Sequence, residues 1–386
     1  MTKLKLDLSK IQDIQTPFYY YDMTLLRDTL KELNRNVGSS PFIIHYALKA
    51  NVNSEILEEI RKAKLGADCV SGGEIKAAIE AGIPTEKIVF AGVGKADWEI
   101  NLALDADIFC FNVESIQELE VINDLAKAKG KEAKIALRIN PNVKANTHHY
   151  ITTGLNENKF GLTISVLDEA LDLIKKLSNL KLIGIHFHIG SQITDMQSFV
   201  SLCNRINELL KHLNNRNVIL DHINVGGGLG VDYEHPDKQP IPDFETYFNV
   251  FRSHLNVQPH QTVHFELGRS LVAQCGSLIS RVLYVKQGVT KQFVILDAGF
   301  TDLIRPTLYQ AYHRIENLSS EENKEKYEIV GPICESSDIF AKEYLMNKTK
   351  RGDIIALRSA GAYGEIMAST YNLRSLPKAY TSDFFV

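Results

Sequence analysis

Reactive side chains stand at the ends of several apolar runs in this sequence. Lys49 ends PFIIHYALK, Asp68 lies near the end of GADCV, and Arg138 and His188 hold similar places in AKIALRIN and KLIGIHFHIG. A lysine that is partly removed from water is a nucleophile that can form a Schiff base. Taken alone, Lys49 is more simply explained as a lysine that leaves a strand for solvent. Its interpretation therefore depends on its neighbours.

Two glycine motifs follow later runs. The segment GGGLG covers residues 226–230, and ELGR covers residues 266–269. Glycine lets the backbone approach an anion closely and present its N–H groups to it. The sequence contains no GxxxxGKS/T motif, and no GxGxxG follows the first apolar run, which argues against a P-loop and a dinucleotide fingerprint. The two motifs suit a phosphate site, although a glycine-rich turn is more often only a turn.

A pair of histidines and a loop cysteine add to this set. His186 and His188 are two residues apart on a predicted strand, so they face the same side. A metal is one alternative, but a catalytic zinc site needs a third ligand and an open position, and no residue set with that spacing stands out. We favour one imidazole packed on a flat cofactor, with Ser191 beside its phosphate. Cys334, in the loop GPICESSD, suits a proton donor better than a core position.

These residues need elements that bring them together. Apolar runs alternate with amphipathic helical patterns, which indicates repeated βα units. The predicted strands are 41–49, 66–70, 87–93, 106–112, 133–140, 181–190, 218–228 and 262–268. Eight parallel units predict a TIM-type (β/α)8 barrel with its active site at the C-terminal strand ends, and a doubly wound open sheet is the alternative. Helices are predicted at 165–177 and 198–213, and Ser71 and Glu74 have capping-box spacing.

The sequence changes character after about residue 275. The β-rich runs are 276–287, 291–300, 327–336 and 353–363. They predict a second, mostly antiparallel β domain, which the strand FYYYD (18–22) would join because a lone strand needs a sheet to pair with. We therefore predict a barrel domain at 23–275 and a β domain at 1–22 and 276–386. The charged segment 319–326 predicts a solvated loop.

Composition restricts the class of protein. The chain has 386 residues with a net charge of −4, and it shows no long basic tract, so neither nucleic acid nor an anionic membrane is an expected partner. No signal sequence and no apolar stretch long enough for a membrane span are evident. Five cysteines at wide spacing, with no CxxC pair, argue against a disulfide framework. We expect a cytoplasmic protein.

The motifs resemble those of the diaminopimelate decarboxylase family, within the wider class of fold-type III pyridoxal-phosphate enzymes. In chain order they are YALKAN, ADCVSGGE, INPNV, HHYITTGL with NKFG, HFHIGSQ, GGGLG, ELGR, LIRPTLY, GPICESSD and GAYG. The resemblance covers nearly the whole chain. One departure is ELGR, where many relatives have EPGR. The resemblance implies a homodimeric carboxy-lyase that uses pyridoxal 5'-phosphate to convert meso-diaminopimelate into L-lysine and CO2.

The resemblance also implies a role for each matched residue. Lys49 would hold the cofactor, His188 would stack on its ring with Asp68 behind, and Glu266 would pair with the pyridinium nitrogen. Cys334 would act as the proton donor. The implied phosphate ligands are Ser191, Gly226, Gly227, Gly228, Gly268, Arg269 and Tyr363. The implied substrate ligands are Arg269, Arg305, Tyr309, Glu335 and Tyr363, with Cys334 and Glu335 reaching the partner subunit's active site.

The choice of substrate depends on its far end. Diaminopimelate ends in an ammonium and a carboxylate, and an arginine fork such as Arg305 suits that carboxylate. Arg305 and Tyr309 are four residues apart with Pro306 suited to a first helical turn, so both would share a helix face. The alternatives are a decarboxylase of another basic amino acid or carboxy-polyamine, a non-catalytic cofactor-binding barrel, and a racemase. Lys49, Cys334 and the β domain argue against the non-catalytic barrel. The CESSD loop (334–338) argues against a racemase, which would need a second base opposite Lys49.

Overall fold

The computed structural model describes residue 4, residues 6–143 and residues 159–385. The motif HHYITTGL falls outside these ranges. By its internal packing the chain divides into two compact units, which we call the barrel unit and the β unit. The barrel unit comprises Leu30–Gly230 and Asp243–Gly268. The β unit comprises Met1–Thr29, Val231–Pro242 and Arg269–Val386. No helix in the described ranges is long and apolar enough to cross a membrane.

The barrel unit contains a closed barrel of eight parallel strands, each paired with the next and β9 with β2. Its strands are β2 (Phe42–Ala47), β3 (Gly66–Cys69), β4 (Ile88–Phe90), β5 (Cys110–Val113), β6 (Ala133–Arg138), β7 (Leu180–His186), β8 (His222–Asn224) and β9 (Thr262–Leu267). The predicted (β/α)8 barrel is confirmed, and the open-sheet alternative is wrong because β9 returns to β2.

Helices follow the strands in the barrel unit. They are α2 (Ser54–Lys62), α3 (Gly72–Glu80), α4 (Asp97–Asp105), α5 (Ile116–Ala128), α6 (Leu167–Ile174), α7 (Met196–Asn215) and α8 (Phe244–His254), preceded by α1 (Met23–Val37). Aromatic packing joins α7 and α8 to the barrel wall: the rings of Phe251 and Phe265 lie 4.9 Å apart, and those of Phe199 and Tyr247 also lie 4.9 Å apart. These two helices therefore cover the part of the outer barrel face that carries Phe265.

One of the two hydrogen bonds of the capping box predicted at the start of α3 is present. The Ser71 hydroxyl accepts a hydrogen bond from the Glu74 N–H at 3.2 Å, as in a capping box. The Glu74 carboxylate, however, accepts from the N–H of Val70 at 2.8 Å rather than from Ser71. The acid therefore ties the helix start to the strand that precedes it. The start of α5 repeats this arrangement. Ser115 accepts from the N–H of Glu118, and the Glu118 carboxylate accepts from the N–H of Glu114 at 2.7 Å.

The β unit is built on one eight-stranded sheet. Its strands are β1 (Phe18–Tyr21), β10 (Gly276–Gln287), β11 (Gln292–Leu296), β12 (Ile315–Asn317), β13 (Lys324–Val330), β14 (Ile339–Asn347), β15 (Ile354–Leu357) and β16 (Lys378–Thr381). The order β12-β15-β10-β11-β13-β14 is mostly antiparallel, with β11 and β13 parallel. Strand β1 pairs antiparallel with β10 and parallel with β16.

Two details of the β unit differ from the prediction. The charged segment 319–326 is only partly a loop, because Lys324–Lys326 begin β13 and pair with Leu345–Asn347 of β14. The strand β14 has only one buried side chain, Met346, and so lacks the alternating burial of an amphipathic strand. Two short helices, α9 (Arg269–Val272) and α10 (Arg305–Tyr309), also lie in this unit, and Pro306 occupies the first turn of α10 as expected.

Candidate active site

Lys49 lies just beyond β2, on a single helical turn of three residues, 48–50. Both neighbours, Leu48 and Ala50, are fully buried, whereas the Lys49 side chain is 40% exposed and its Nζ lies 4.0 Å from Oδ2 of Asp68. The turn is thus fixed by apolar packing while the amine stays accessible. Burial and the charge of Glu266 raise the pKa of Asp68 well above its ordinary value, although Lys49 opposes this. With this raised pKa, the Asp68 carboxyl can hold a proton beside the Lys49 amine or exchange one with it.

Glu266 lies inside the barrel near the end of β9, and it is 6% exposed. Oε1 accepts hydrogen bonds from the side-chain amides of Asn112 at 3.2 Å and Asn224 at 2.8 Å, and Oε2 lies 3.1 Å from Nε2 of His186. Burial alone would raise the pKa of Glu266, but the charge and hydrogen bond of His186, with smaller effects from His188 and Lys49, hold it well below its ordinary value. A buried carboxylate is thereby kept ionised.

The hydrogen bonds of Glu266 leave room for one more donor. An ionised carboxylate offers about four acceptor positions, and the described partners use three of them. The fourth position suits a cationic N–H such as a protonated ring nitrogen. Asn112, Asn224 and His186 had no assigned role from sequence. Their signal was weak, since a strand with both faces buried does not reveal which polar side chains point inward.

His188 lies beyond the end of β7, where it is half-buried. Its Nδ1 accepts a hydrogen bond from the N–H of Gly227 at 3.3 Å, so any ring proton belongs on Nε2. Burial, followed by the charges of Lys49 and Arg138, lowers the pKa of His188 well below its usual value. The ring is therefore neutral near pH 7, which suits stacking on a flat aromatic group.

The glycines of GGGLG are required by close backbone contacts. A Cβ at Gly227 would lie 1.9 Å from the carbonyl oxygen of Glu266, and Gly226 has a φ of +73°. The N–H of Gly226 donates to the Asn224 side chain at 2.9 Å. The turn is therefore fixed against β7 and β9. The other two predicted site glycines are Gly228 and Gly268. Gly228 also has a positive φ, and Gly268 contacts the turn that carries Lys49.

A second buried carboxylate organises the other strand ends. Oε1 of Glu114, directly after β5, accepts from Arg138 at 2.6 Å and from the N–H of Gly92 at 3.1 Å, and its Oε2 accepts from Gly161 at 2.9 Å. The Arg138 guanidinium also packs over the Phe160 ring, 4.7 Å from its centroid. Glu114 was missed from sequence, although its place directly after a strand in FNVE was a usable signal.

The β unit holds a cluster of cations. Arg269 and Arg305, each 6% exposed, donate to the single hydroxyl of Tyr233, at 2.6 and 3.1 Å. Arg305 also bonds Nε2 of His313 at 2.9 Å, and the Arg269 guanidinium packs over the Tyr363 ring at 4.8 Å. Among the described residues, no carboxylate lies within ion-pairing distance of Arg305. Arg269, Arg305 and Tyr363 were predicted site residues; Tyr233 and His313 were not.

The remaining predicted residues lie in the same unit or in a loop of the barrel unit. Cys334 and Glu335 are exposed in the loop after β13, where the Tyr371 hydroxyl donates to Glu335 at 2.6 Å. The buried Asp338 fixes this loop by accepting from the N–H groups of Phe300 and Ile333. Other positions are Tyr309, half-buried on α10, and Ser191, half-buried before α7.

Comparison with known proteins identifies the family. Residues 24–273 match the family model described as the pyridoxal binding domain of pyridoxal-dependent decarboxylases. A protein of Bacteroides thetaiotaomicron named diaminopimelate decarboxylase is 62% identical over 380 residues, which cover 98% of each chain. The chain belongs to the pyridoxal-dependent decarboxylases. A same-named protein of Aquifex aeolicus is 40% identical over 94% of this chain and 86% of its own length.

Solved structures of the family support the same assignment. The crystal structure of Helicobacter pylori diaminopimelate decarboxylase complexed with L-lysine aligns with a TM-score of 0.89 at 39% identity, covering 97% of this chain and 93% of that chain. The residues of this decarboxylase also fit its pyridoxal cofactor. Lys49 provides an accessible amine, and Glu266 provides an ionised carboxylate with an acceptor position to spare. The Gly227 position is too close to a neighbouring backbone for any side chain.

Proposed function

We propose that this decarboxylase converts meso-2,6-diaminopimelate into L-lysine and CO2, the last step of lysine biosynthesis. Relatives that carry this name are up to 62% identical along nearly the whole chain. The observation in the molecule that most favours this substrate is the buried guanidinium of Arg305, whose described partners are neutral groups. A buried cation without a carboxylate calls for an anionic ligand, and diaminopimelate brings a carboxylate at its far end.

Most of the proposed cofactor ligands lie in the barrel unit. Lys49 would bind the cofactor covalently, and His188 would lie against its ring. Glu266 would accept a hydrogen bond from the pyridinium N–H. Asp68 would hold or exchange a proton beside the Lys49 amine. When bound, pyridoxal phosphate supplies an electron-accepting ring that stabilises the charge left as CO2 departs. Keeping Glu266 ionised keeps that ring protonated. The proposed phosphate ligands are Ser191, Gly226, Gly227, Gly228, Gly268, Arg269 and Tyr363.

The β unit would recognise the substrate. Arg305 and Tyr309 would bind the distal carboxylate, Glu335 would take the distal ammonium, and Arg269 and Tyr363 would contribute to the substrate as well as to the phosphate. The product preserves this end of the molecule, because only the other carboxylate is lost as CO2. L-Lysine therefore keeps the group that Arg305 would bind.

Cys334 would return a proton to the carbon that has lost CO2. A solvent-exposed thiol in a loop held by Asp338 is well placed for a role outside its own chain's core. We propose that Cys334 and Glu335 serve the active site of a second subunit, so the active enzyme is a homodimer. We also propose a cytoplasmic location, since all five cysteines lie in the described ranges and are free.

The shared active site can be tested by mixing two inactive variants. Lys49→Ala lacks the cofactor anchor, and Cys334→Ala lacks the proton donor. If each site draws on both subunits, a mixture that exchanges subunits forms some dimers with one intact site, so activity returns to about a quarter of wild type at equal amounts. Mixing Lys49→Ala with Glu266→Gln should restore nothing, because both changes lie in one barrel. Failure of the first mixture despite subunit exchange would reject the shared site.

The substrate assignment is tested by measuring CO2 release from four amino acids side by side. Meso-diaminopimelate should be the best substrate. L-Lysine, L-ornithine and L-arginine, bound through their α-amino groups, lack a distal carboxylate and would leave Arg305 buried without its anion. If ornithine or arginine reacted fastest, the alternative of a decarboxylase for another basic amino acid would replace this proposal.

A further inference from the structure

The Tyr233 hydroxyl joins two arginines of the β unit. Tyr233 is 9% exposed and lies three residues after the GGGLG motif. One NH1 from Arg269 and one from Arg305 reach its oxygen, and the guanidinium carbons lie 5.9 and 5.1 Å from its ring centroid. Both arginines donate, so the phenol oxygen acts as a shared acceptor. It therefore holds two like charges close together.

His313 provides the second support for Arg305. Its Nδ1 lies 2.8 Å from the carbonyl oxygen of Arg358, which can only accept, so the ring proton belongs on Nδ1. The other nitrogen, Nε2, is then an acceptor for the Arg305 N–H at 2.9 Å. Burial, then the charge of Arg305, lowers the pKa of His313 to about 3, so the ring stays neutral at ordinary pH. His313 is 3% exposed and packs edge-on to Tyr233, with ring centroids 5.3 Å apart.

The chemistry of these two supports matters. A carboxylate would hold Arg305 equally well, but it would also neutralise the guanidinium and compete with an incoming anion. Neutral acceptors fix the direction of the N–H groups and leave the positive charge available. The described contacts of Arg305 follow this second pattern, with a phenol on one side and an imidazole on the other.

We propose that Tyr233 and His313 are positioning residues that hold the Arg305 guanidinium ready for the distal carboxylate and so determine the preference for a substrate that carries one. This inference rests on the proposed function and extends it to two residues that touch Arg305 rather than the substrate. Through the shared hydroxyl, Tyr233 also fixes the spacing between Arg305 and Arg269.

Two ligands isolate the contribution of the distal carboxylate. L-Lysine keeps that carboxylate, and cadaverine (1,5-diaminopentane) is the same molecule without it. Calorimetry on the cofactor-loaded enzyme gives a dissociation constant for each. Tyr233→Phe removes the shared acceptor but keeps the ring, so L-lysine should bind about tenfold more weakly, as expected for a lost hydrogen bond to a charged group. Cadaverine should change by less than about twofold, because it has no carboxylate for Arg305 or Arg269 to bind.

Turnover should follow the same division. In Tyr233→Phe, KM for meso-diaminopimelate should rise about tenfold while kcat stays within about threefold, since the lost contact acts on substrate binding. Tyr327→Phe is the matched control. Tyr327 is a buried tyrosine of the same unit whose hydroxyl bonds Glu325 and the N–H of Thr349 instead. Neither KM nor the binding of either ligand should change in the control.

A second pair of variants guards against loss of folding. His313→Gln keeps an acceptor that can reach Arg305, whereas His313→Met removes it at similar size. We expect His313→Met, but not His313→Gln, to weaken L-lysine binding selectively, as Tyr233→Phe does. Equal weakening of L-lysine and cadaverine, or no weakening of either, would overturn the inference. A wild-type enzyme that failed to decarboxylate diaminopimelate would instead refute the proposed function, so the two failures are distinguishable.

Discussion

Each of the two units holds a buried charge, and the two charges are of opposite sign. In the barrel unit, the carboxylate of Glu266 is surrounded by two amides and an imidazole. In the β unit, the guanidinium of Arg305 is supported by a phenol and an imidazole. The charge and hydrogen bond of His186 keep Glu266 ionised, whereas the described partners of Arg305 are neutral. Among the described residues, neither group has a Lys, Arg, Asp or Glu counter-ion within ion-pairing distance.

This contrast suggests a division of labour. A preorganised buried anion favours a cationic ligand, and a preorganised buried cation favours an anionic one. Elsewhere in the barrel unit, the buried pairs Lys95 with Glu118 and Arg138 with Glu114 are already neutralised, at 2.5 and 2.6 Å. Those pairs brace the fold, whereas Glu266 and Arg305 retain charge for a ligand. Each of the following changes tests one side of this comparison.

The largest effect is expected where the chemistry starts. Lys49→Ala should abolish turnover and covalent attachment of the cofactor, because among described residues no other amine lies beside Asp68. Pyridoxal phosphate should still bind weakly through the other proposed ligands. Borohydride reduction followed by peptide mapping locates the attachment, with Lys211→Ala, an exposed helix lysine, as the control. A label found on another lysine would show that the anchor is wrongly assigned.

Glu266→Gln should have the next largest effect and act through the anionic side of the comparison. The amide carries no charge. If its oxygen accepts from Asn112 and Asn224, its NH2 takes the place of Oε2 beside His186, where an acceptor is lost. Losing a charge partner that matters most in the transition state costs roughly 2–4 kcal/mol, which is about 30- to 1,000-fold in kcat. Cofactor affinity should change less. Steady-state kinetics beside a cofactor titration measures both, and a kcat within about threefold of wild type would contradict the role.

The fold was largely predictable because its signal is local. Each barrel strand is a short apolar run bounded by turn residues, and eight of them in sequence leave few architectures. The strand ends also identified Lys49, Asp68, His188 and Glu266 as neighbours. Strand β5 shows the limit: its predicted start at 106 was too early, because Asp107 has a φ of +51° and the strand begins at Cys110.

The supports of the charged groups were not predictable. Asn112, Asn224 and His186 meet at Glu266 only because the barrel closes, and closure depends on pairings between distant segments. Tyr233 and His313 lie 36 and 44 residues away from Arg269, on opposite sides of it in sequence. Periodicity describes which face of an element is apolar, but it does not say which polar side chains from different elements will converge.

Arg305→Met tests the cationic side. It should lower kcat/KM for meso-diaminopimelate by about a hundredfold, close to 3 kcal/mol, because the distal carboxylate loses its charge partner. The cofactor absorbance should stay unchanged, since Arg305 is not a proposed phosphate ligand. Arg35→Met, which removes an exposed arginine paired with Glu32, is the control. A large absorbance change would place Arg305 at the cofactor rather than at the substrate.

The smallest expected effect is on the free energy of unfolding in acid. Its measurement tests whether buried neutral histidines stabilise both units. His45 of the barrel unit bonds the carbonyl oxygen of Lys87 and Nδ1 of His264, and burial lowers its pKa to about 4. In the β unit, burial and Arg305 lower the pKa of His313 to about 3. Each folded-state pKa lies below the unfolded value of about 6.5, so the unfolded chain takes up protons first as pH falls. The stabilisation is complete above pH 6.5 and is lost as pH falls from there toward the folded value.

Between pH 7.5 and 5.5 each of these histidines should therefore cost about 1 kcal/mol of unfolding free energy. His45→Gln and His313→Gln remove the titrating group, so each variant should lose less stability over this interval than the wild type does. His260→Gln, at an exposed histidine of the barrel unit, is the control substitution. Hydrogen exchange at several pH values reports each unit separately. If only His313→Gln reduced the dependence of unfolding free energy on pH, a buried neutral histidine would stabilise the β unit alone. The comparison between the units would then hold only for Glu266 and Arg305.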